Sequence, residues 1–470
     1  MSNRRIIFLF KKTNYKFKNF LFLCITAIIG FSSCKTTKHV PEDKYLLKGY
    51  KIEIETDGAE INKNELKSYI KQKPNRKFLG LKFPLYIYSL SSEDKEGGLN
   101  KVFKRMGEEP VIWDKYMTDE AKKQLKYYLE NKGYYNSGVE DTVLFSGQKA
   151  KVKYRIDLNK PYTVKNFSYE IRDSLLKPYI YQDTTDRLIR KGDIFSVEKM
   201  EKERKRIESL LKNKGFYNFS KEFISYVADT TYEENKVGLS LRISKYPVKG
   251  KNGEIQKISH KRYKINNIFV FPEYNPKQAI SERQGYLENL DTTFVDGINF
   301  IYKDEPGIDL KTLTQANYLS SGNWYKQEDL DRTYEHLNSL RIFKLINIKF
   351  EEASEDSVQK TGKLDCYIYL KKMKLQSYTI ELEGTNSSGN IGGGGNLLYS
   401  HKSLMNGAEN FQTKLTGAFE ILDPEKFNRL DNTLKLGAEV SLDVPKFIIP
   451  FFKSEQFVKK YHPRTSFSAM

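Results

Sequence analysis

The sequence predicts an α+β fold in which three tandem copies of one strand-helix-helix-strand-strand unit precede a stretch of antiparallel strands. Three observations support this prediction. A helical segment that ends in glycine and two aromatic residues recurs along the chain, alternating segments follow each copy, and helical periodicity disappears after residue 374. A chain of 470 residues has room for about two to four domains.

The first copy of the helical segment lies at residues 119–135. Four apolar side chains are spaced for one face of a helix: Ala121, Leu125, Tyr128 and Leu129. Gly133 stands where that helix would end, and Tyr134 and Tyr135 follow it. The alternating segment after this corner has its apolar positions at Val152, Tyr154 and Ile156. Such alternation is typical of a strand with one buried face.

The second copy comes 82 residues later, where Gly215-Phe216-Tyr217 matches Gly133-Tyr134-Tyr135. Ser196 is a good N-cap for its helix, and Phe195 can pack on Met200 as a hydrophobic staple. The apolar stripe of this helix consists of Val197, Met200, Ile207 and Leu211. The alternating strand after it carries Val237, Leu239, Leu241 and Ile243.

The third copy is more divergent. Its helical stripe consists of Leu330, Tyr334 and Leu337. It ends at Leu340-Arg341-Ile342-Phe343, so that Arg341 replaces the glycine of the earlier copies. Its last strand alternates through Leu364, Cys366, Ile368 and Leu370.

Another strand and a shorter helical stretch come before each long helix. The preceding strands are predicted at residues 50–55, 162–171 and 263–270. In the first copy, Asn62 and Glu65 form a capping box that leads into Leu66, Tyr69 and Ile70. The complete unit is therefore strand, helix, helix, strand, strand.

This order, with a glycine-aromatic corner after the second helix, resembles the POTRA domain, the periplasmic module of the BamA/TamA superfamily of outer-membrane assembly proteins. The resemblance implies POTRA-like domains at residues 45–160, 161–249 and 260–374. The corner residues that carry it are Gly133, Tyr134, Tyr135, Gly215, Phe216, Tyr217, Ile342 and Phe343. Insertions at 73–110 and 275–300 are expected to be solvated excursions or, alternatively, loops that contact client proteins.

The N-terminus predicts export. Six basic residues and no acidic residue precede the sequence Phe31-Ser32-Ser33-Cys34, and an apolar run of about a dozen residues is shorter than the ~20 that a transmembrane helix needs. Small residues before a cysteine resemble a bacterial lipoprotein signal. The resemblance implies a signal peptide at 1–33, a lipid such as palmitate on Cys34, and a linker at 34–44. An ordinary buried cysteine is the alternative.

Composition agrees with an exported protein. Of the three cysteines, Cys24 lies in the signal and Cys34 would be acylated, which leaves Cys366 without a disulfide partner. The formal net charge of +19 includes the basic signal, and the remaining lysines are scattered among Tyr, Asn and Ile. This pattern indicates a lysine-rich proteome or a solvated surface and argues against nucleic-acid binding.

From residue 375 onward, strands of about ten residues are apolar on one face and charged on the other, as in a transmembrane antiparallel β-barrel. The first such strand carries Tyr378, Ile380 and Leu382 on its apolar face. Two later strands repeat the pattern with Phe411, Leu415, Phe419, Leu434, Leu436, Ala438, Val440 and Leu442. Residues 375–470 are therefore predicted to be the first strands of such a barrel, with a soluble sandwich as the alternative.

The segment 384–396 is rich in glycine but lacks the Gly-Lys-Ser/Thr of a phosphate-binding loop, so it is predicted to be a flexible hairpin. With residues 40–47 and 444–452 it resembles the TamA-like lipoproteins of Bacteroidetes, often called TamL. Such a barrel implies more strands than can be counted here, so the chain is expected to be the N-terminal part of a longer protein.

No active site is predicted. The five histidines are far apart without metal-ligand spacing, and a Gly-x-Ser-x-Gly elbow does not occur. The histidines His39, His260, His336, His401 and His462 are expected to be solvent-facing or capping residues. We therefore expect a protein that is not an enzyme and that needs neither cofactor nor metal ion.

The resemblance implies an outer-membrane assembly or translocation factor, lipid-anchored, with its POTRA-like domains in the periplasm. Client strands would bind at sheet edges and enter the bilayer at a barrel seam beside the first strand. The implied partners are unfolded outer-membrane or exported proteins, outer-membrane lipids and a TamB-like periplasmic protein, with no nucleic acid. The alternatives are a two-partner-type secretion transporter for one dedicated substrate and a surface lipoprotein that binds nutrients or glycans.

Overall fold

The computed structural model describes residues 36–55, 61–78, 80–92, 97–250, 252–282, 290–303, 305–353, 361–387, 390–421, 432–448, 457, 459, 461 and 463–470. The chain divides into two compact units. The first unit comprises Met1–Ser168, Leu188–Glu203 and Tyr226–Ser240, and the second comprises Tyr169–Arg187, Arg204–Ser225 and Leu241–Met470. In the described part of the chain, helices that are both long and apolar enough to cross a membrane do not occur.

Module 1 is the strand-helix-helix-strand-strand unit that runs from residue 46 to residue 157. Its elements are β1 (Leu46–Ile54), α1 (Lys63–Tyr69), α2 (Phe83–Ser89), α3 (Gly98–Met106), α4 (Lys115–Asn131), β2 (Gly138–Ser146) and β3 (Lys149–Asp157). The sheet order is β1-β3-β2, with β1 parallel and β2 antiparallel to β3. The predicted stripe of α4 is buried against the predicted face of β3. The extra helices α2 and α3 occupy the insertion predicted at 73–110.

The predicted capping box at α1 is only half formed. The Asn62 side chain accepts a hydrogen bond from the Asn64 backbone N–H at 2.9 Å. The Glu65 carboxylate does not reach back to Asn62. It accepts a hydrogen bond from the Tyr128 hydroxyl at 2.6 Å, because α4 packs beside α1 and presents a better donor there.

Module 2 runs from residue 163 to residue 243 and contributes residues to both units. Its elements are β4 (Thr163–Ile171), α5 (Lys177–Gln182), α6 (Val197–Asn213), β5 (Ile224–Glu233) and β6 (Lys236–Ile243), and its sheet order is β4-β6-β5. Within the first unit, Phe195 and Met200 pack on the same buried cluster, as the staple predicts. The prediction that Val197 belongs to the buried stripe is wrong, because this first residue of α6 is 41% exposed.

Module 3 runs from residue 262 to residue 372, after a hairpin of β7 (Tyr246–Lys249) and β8 (Ile255–Ile258). Its elements are β9 (Arg262–Phe271), α7 (Pro276–Glu282), β10 (Asp291–Val295), β11 (Ile298–Tyr302), α8 (Leu310–Ala316), α9 (Gln327–Ser339), β12 (Phe343–Glu352) and β13 (Thr361–Lys372). Its sheet has the order β10-β11-β9-β13-β12. The insertion predicted at 275–300 is therefore more than a solvated excursion, because Ile298 and Phe300 belong to the buried core.

The predicted stripe of the third long helix is also partly wrong, because Tyr334 is 49% exposed. Thr333 takes the buried position next to it. The Thr333 hydroxyl donates to the Asp329 carbonyl at 2.7 Å and accepts from the Tyr318 backbone N–H at 2.9 Å. A polar side chain can be buried there because both roles of its hydroxyl are satisfied.

The last part of the second unit is a five-stranded antiparallel sheet, which we call the C-terminal sheet. Its strands are β14 (Gln376–Ser387), β15 (Asn390–Lys402), β16 (Asn410–Ile421), β17 (Asn432–Val444) and β18 (Thr465–Ala469), in that order. The glycines predicted to lie in a flexible hairpin belong to the paired strands, with Leu382 opposite Gly395 and Gly384 opposite Gly393. Glycines can belong to these antiparallel strands because the hydrogen bonds between strands are made by the backbone and need no side chain.

Candidate functional site

The first strand of each module is covered by the chain itself on the side away from the last strand. In module 1 the Leu47 backbone N–H donates to the Val111 carbonyl, and the Trp113 N–H donates to the Tyr45 carbonyl, both at 2.7 Å. The equivalent bonds in module 2 join Val164 to Asp193 and Gly192. In module 3, Ile265 bonds to Asn323 and Gly322 in the same way, and β11 pairs with the other end of β9.

The opposite edge of each sheet is open. Among the described strands, β2 neighbours β3 alone, β5 neighbours β6 alone and β12 neighbours β13 alone. An unpaired strand edge presents a row of backbone N–H and C=O groups that another extended chain can pair with. Each module therefore offers an added strand the edge of the strand that follows its long helix. In module 3 the strand β10, at the other end of the sheet, also neighbours β11 alone among the described strands.

The corner after the long helix (α4, α6 or α9) has a left-handed backbone in all three modules. The φ angles are +97° at Gly133, +99° at Gly215 and +57° at Arg341. At Gly133 the backbone also approaches module 2 closely, because a Cβ atom there would lie 2.5 Å from Ile194 Cγ2. Glycine is therefore required at Gly133 for conformation and for space, whereas Arg341 adopts the same turn at a conformational cost.

The second residue of each corner completes its own module. Tyr134 and Phe216 are 8% and 0% exposed, and Ile342 and Phe343 are 1% and 7% exposed. Tyr134 packs in the core of module 1, and Ile342 and Phe343 pack in the core of module 3. These predicted corner residues anchor the end of the long helix to its own sheet.

The third residue of the first two corners leaves its module and contacts the next one. Tyr135 lies 5.5 Å from Tyr162 and 5.6 Å from Phe195 between ring centroids. Tyr217 lies 6.0 Å from Tyr263 and 5.0 Å from Tyr325. Burial raises the pKa of both the Tyr135 and the Tyr217 hydroxyl. The predicted motif is thus a joint between consecutive modules as well as a turn.

Backbone hydrogen bonds repeat at both joints. The Gly133 carbonyl accepts from the Tyr162 N–H at 2.9 Å, and the Gly215 carbonyl accepts from the Tyr263 N–H at 2.8 Å. The Tyr162 carbonyl in turn accepts from Phe195 at 2.8 Å. The same bond joins the Tyr263 carbonyl to the Tyr325 N–H at 2.9 Å. The two joints are therefore built by one repeated backbone pattern.

Charged side chains reinforce the first joint. Lys132 Nζ lies 2.9 Å from the Glu198 carboxylate and 3.5 Å from that of Glu65. The hydrogen bonds from Lys202 and Lys132 lower the pKa of Glu198 to about 2. The last turn of α4 is thus connected to α1 of its own module and to the first turn of α6 in the next.

The second joint contains a buried hydrogen-bonded pair of an aspartate and a histidine. Asp173 and His260 are 0% and 3% exposed, and the Asp173 Oδ2 atom accepts from the His260 backbone N–H at 2.7 Å and lies 2.9 Å from His260 Nδ1. Burial acts to raise the pKa of Asp173, but the hydrogen bonds from His260 and Leu175 lower it below its ordinary value overall. The expectation that His260 is solvent-facing or capping is wrong, because the carboxylate pairs it inside the protein.

Arg262 also lies at the second joint. Its guanidinium carbon is 3.7 Å from the centre of the Trp324 ring, and its Nε donates to the Lys214 carbonyl at 2.7 Å. The Asn213 side chain accepts from the Glu328 backbone N–H at 2.9 Å, at the start of α9. A cation over an aromatic face and a side-chain cap thus add polar contacts to the aromatic packing.

The C-terminal sheet has one apolar and one polar face. Tyr378, Ile380 and Leu382 are 72%, 74% and 85% exposed. Ile380 lies opposite Leu397, which lies opposite Leu415, so the apolar row continues across the sheet. The intervening positions carry Glu381, Asn396 and Thr416. The predicted apolar face of the first strand is therefore present and is not covered by the described residues.

Cys34, the predicted lipidation residue, lies outside the described residues, as does the predicted signal peptide. The sequence analysis did not single out Trp113 and Tyr325. They precede the long helices α4 and α9 as Phe195 precedes α6 in module 2. An aromatic residue one position before a helix N-cap was the available signal. Among the described residues, groups of three or more His, Cys, Asp or Glu suited to a metal ion do not occur.

Comparison with protein families identifies the middle of the chain. Residues 162–245 match the POTRA family, described as "Surface antigen variable number repeat". This match covers module 2 from β4 to the residue before β7. No curated protein matches the chain.

Several solved structures are similar at low identity. POTRA domains 3–5 of Haemophilus influenzae BamA are 12% identical with a TM-score of 0.33, over 71% of this chain and 100% of that one. BamA from Haemophilus ducreyi lacking POTRA domains 1–3 is 10% identical with a TM-score of 0.32, over 66% and 58%. CdiB from Acinetobacter baumannii is 13% identical with a TM-score of 0.29, over 61% and 43%.

The residues of the family match coincide with a module whose corner, covered first strand and joint recur in the modules on either side. Residues 162–245 therefore match the POTRA family, as the repeats predict for this part of the chain.

Proposed function

We propose that this protein assembles or translocates outer-membrane or exported polypeptides by adding their strands to the open sheet edges of its three modules. The sheet edges at β2, β5 and β12 are the sites of this binding. Unfolded outer-membrane or exported proteins are the clients, and the protein works at the outer membrane with its modules in the periplasm. The non-catalytic, cofactor-free role predicted from the sequence is part of the same proposal.

The observation that carries the proposal is the consistent difference between the first strand of each module and the strand that follows its long helix. The free side of the first strand is bonded to the chain's own segments in every module, and the strand after the long helix is an open edge in every module. Backbone hydrogen bonding between strands does not depend on particular side chains, so it suits a protein that binds many different clients.

The C-terminal sheet supports the membrane part of the proposal. Its exposed apolar face is suited to lipid, and its opposite face carries charged and amide side chains suited to an aqueous lumen. We propose that β14 forms one side of a seam where client strands enter the bilayer. TamB-like proteins and outer-membrane lipids are the proposed accessory partners.

We also propose that Cys34 carries a lipid that holds the protein at the membrane. The support is the sequence before it, in which basic residues, a short apolar run and two serines precede the cysteine. Mass spectrometry of the mature protein should find an acylated N-terminal cysteine. A Cys34→Ser variant should lose both the acyl mass and the signal-peptide cleavage.

Site-specific photo-cross-linking in living cells tests the client edges. A photoreactive amino acid at Thr142 on β2 or at Lys349 on β12 should cross-link to newly exported outer-membrane barrel proteins, because both side chains are exposed on open edge strands. The matched controls are Lys48 on β1, next to the covered edge, and Lys126 on the surface of α4. Equal cross-linking at all four positions would contradict edge binding.

A further inference from the structure

Helix α3, within the insertion of module 1, presents an apolar stripe to solvent. The structure describes all nine residues of this helix, and none of them is buried. Leu99, Val102 and Met106 are 74%, 45% and 66% exposed and follow one another at helical spacing. A helix that exposes its apolar side in this way calls for a partner surface.

The other residues of α3 give it a positive charge. Lys101, Lys104 and Arg105 are exposed, and the helix contains no acidic residue. Acidic residues do occur in the preceding segment at 93–96, which lies outside the described residues. A short helix with an apolar stripe flanked by basic residues is typical of segments that lie in the interface of an anionic membrane.

The packing of α3 on α2 fixes this orientation. A Cβ atom at Gly107 would lie 2.5 Å from the Tyr88 backbone nitrogen, so the end of α3 rests directly on α2. The Asn100 side chain accepts from the Ser92 N–H at 2.7 Å and donates to the Ser92 carbonyl at 2.9 Å. The stripe is therefore held outward at both ends of the helix.

A second exposed apolar segment is bonded to the residues after α3. Phe78 and Leu81 are 65% and 53% exposed, and each backbone N–H donates to the carbonyl of the other residue. The Arg76 backbone N–H donates to Glu108 Oε2 at 3.0 Å, which places Arg76 beside the end of α3. Phe78 and Leu81 thus extend the apolar surface of the helix.

The N-terminal linker docks on the same pair of helices. Lys38 Nζ donates to the carbonyls of Ser89 and Ser91 at 3.2 and 2.8 Å. The His39 ring lies 5.3 Å from the Tyr88 ring. Cys34 stands four residues before Lys38, and four residues span at most about 14 Å. A lipid on Cys34 would therefore enter a membrane close to the end of α2.

From these contacts we infer that the surface formed by α3, Phe78 and Leu81 lies on the bilayer beside the acylated Cys34, with Leu99, Val102 and Met106 inserted among the lipids. The inference rests on the proposed lipid anchor for its position. Its ligand is a bilayer surface with anionic headgroups, which the basic side chains of α3 attract. Module 1 would thereby be held flat against the membrane by two attachments instead of one.

A fluorescent label tests this contact directly. In the mature protein Cys34 is blocked by lipid and Cys366 is fully buried, so Leu99→Cys introduces an accessible thiol for the polarity-sensitive dye NBD. The labelled full chain is placed in vesicles of phosphatidylethanolamine and phosphatidylglycerol. We expect a blue-shifted emission that nitroxide-labelled lipids quench, and a weaker shift in vesicles of phosphatidylcholine alone.

Tyr127→Cys is the matched control, because Tyr127 is 55% exposed on α4 and should remain in water. Equal quenching of both labels by aqueous iodide would overturn the inference. Adding Val102→Glu and Met106→Glu should lower the membrane-inserted fraction about tenfold, because apolar side chains are replaced by charged ones. A blue shift at position 99 that these two substitutions leave unchanged would also overturn the inference. The same pair of variants should leave client cross-linking at Thr142 intact.

The failure of the anchor and the failure of this surface are distinguishable. If mass spectrometry finds no lipid on Cys34 but the label at position 99 still enters anionic vesicles in a chain with Cys24→Ser and Cys34→Ser, the surface stands and the anchor proposal falls. If Cys34 is acylated and the label stays in water, the surface is overturned while the anchor stands.

Discussion

Tyr135 stacks on Phe195 with their ring centroids 5.6 Å apart, although Tyr135 ends the corner of module 1 and Phe195 precedes the long helix of module 2. Tyr217 and Tyr325, at the same positions one module later, meet edge to face with their ring centroids 5.0 Å apart. Modules 1 and 2 therefore each place an aromatic side chain against the next module. Repeat proteins gain stability from such nearest-neighbour contacts, so the joints are expected to stabilise the modules that they connect.

A double-mutant cycle should detect the joint as a coupling energy. We expect Tyr135→Leu and Phe195→Leu to interact by about 1 kcal/mol, because an aromatic pair contributes that much beyond its buried area. Chemical denaturation of the four variants measures it. Tyr134→Leu with Phe195→Leu is the control pair, since Tyr134 packs in the core of module 1, and it should show additive losses. Additivity in both pairs would refute the joint.

Gly133→Ala should destabilise the protein more than Gly147→Ala does. Both glycines have positive φ angles, +97° and +54°, so each alanine meets the cost of about 1–2 kcal/mol of a left-handed residue. Only at Gly133 would the added Cβ also collide with Ile194 and Phe195. The free energies of unfolding of the two variants provide the comparison, and equal losses would contradict the close approach.

Arg341→Gly should stabilise module 3 by up to about 1 kcal/mol. Arg341 adopts a φ of +57°, where a side chain is disfavoured and glycine is not. Glycine's greater freedom in the unfolded chain offsets part of this gain. Thermal unfolding measures the change, and Arg341→Ala is the control, since it keeps the Cβ and should not stabilise. A loss of stability in Arg341→Gly would show that its side-chain contacts outweigh the backbone strain.

Local pattern was sufficient to predict the framework of the fold. The buried stripe of α4, the alternation of β3, β6 and β13, and the two faces of β14 all follow from apolar spacing, because burial acts on each element separately. The corners were found because a left-handed turn after a helix favours glycine. The third corner has arginine in place of glycine, so its left-handed backbone could not be predicted from residue type, although its position could.

The incorrect predictions concern residues whose burial is determined by tertiary contacts. The burial of Thr333 depends on the Tyr318 N–H, which is distant in sequence, and the burial of His260 depends on Asp173, 87 residues away. Covered and open sheet edges likewise follow from which segments return to the sheet. Side-chain periodicity does not report backbone pairing of this kind, so the candidate client edges required the structure.

Acid should weaken the second joint through Asp173. Its pKa in the folded protein lies below the ordinary value, so the stabilisation is complete above about pH 4 and is lost as the pH falls through the folded pKa. Asp173→Asn should lose about 2 kcal/mol at pH 7, because the charged acceptor of the buried hydrogen bonds from His260 is removed. Denaturant titrations at pH 7 and pH 3 should show a smaller pH dependence in the variant. Equal pH dependence in the two proteins would exclude this role of Asp173.

The apolar face of β14 can be tested by placing a charge on each side of the strand. Leu382→Lys should reduce the amount of protein recovered in outer-membrane fractions, since a lysine facing lipid near the bilayer midplane costs about 2–4 kcal/mol. Leu382 is 85% exposed, so a folding defect from lost core packing is not expected. Glu381→Lys is the matched control, because its side chain points to the opposite, polar face of the same strand. If both variants reached the membrane equally, the apolar face of β14 would not face lipid, and the soluble-sandwich alternative would regain its place.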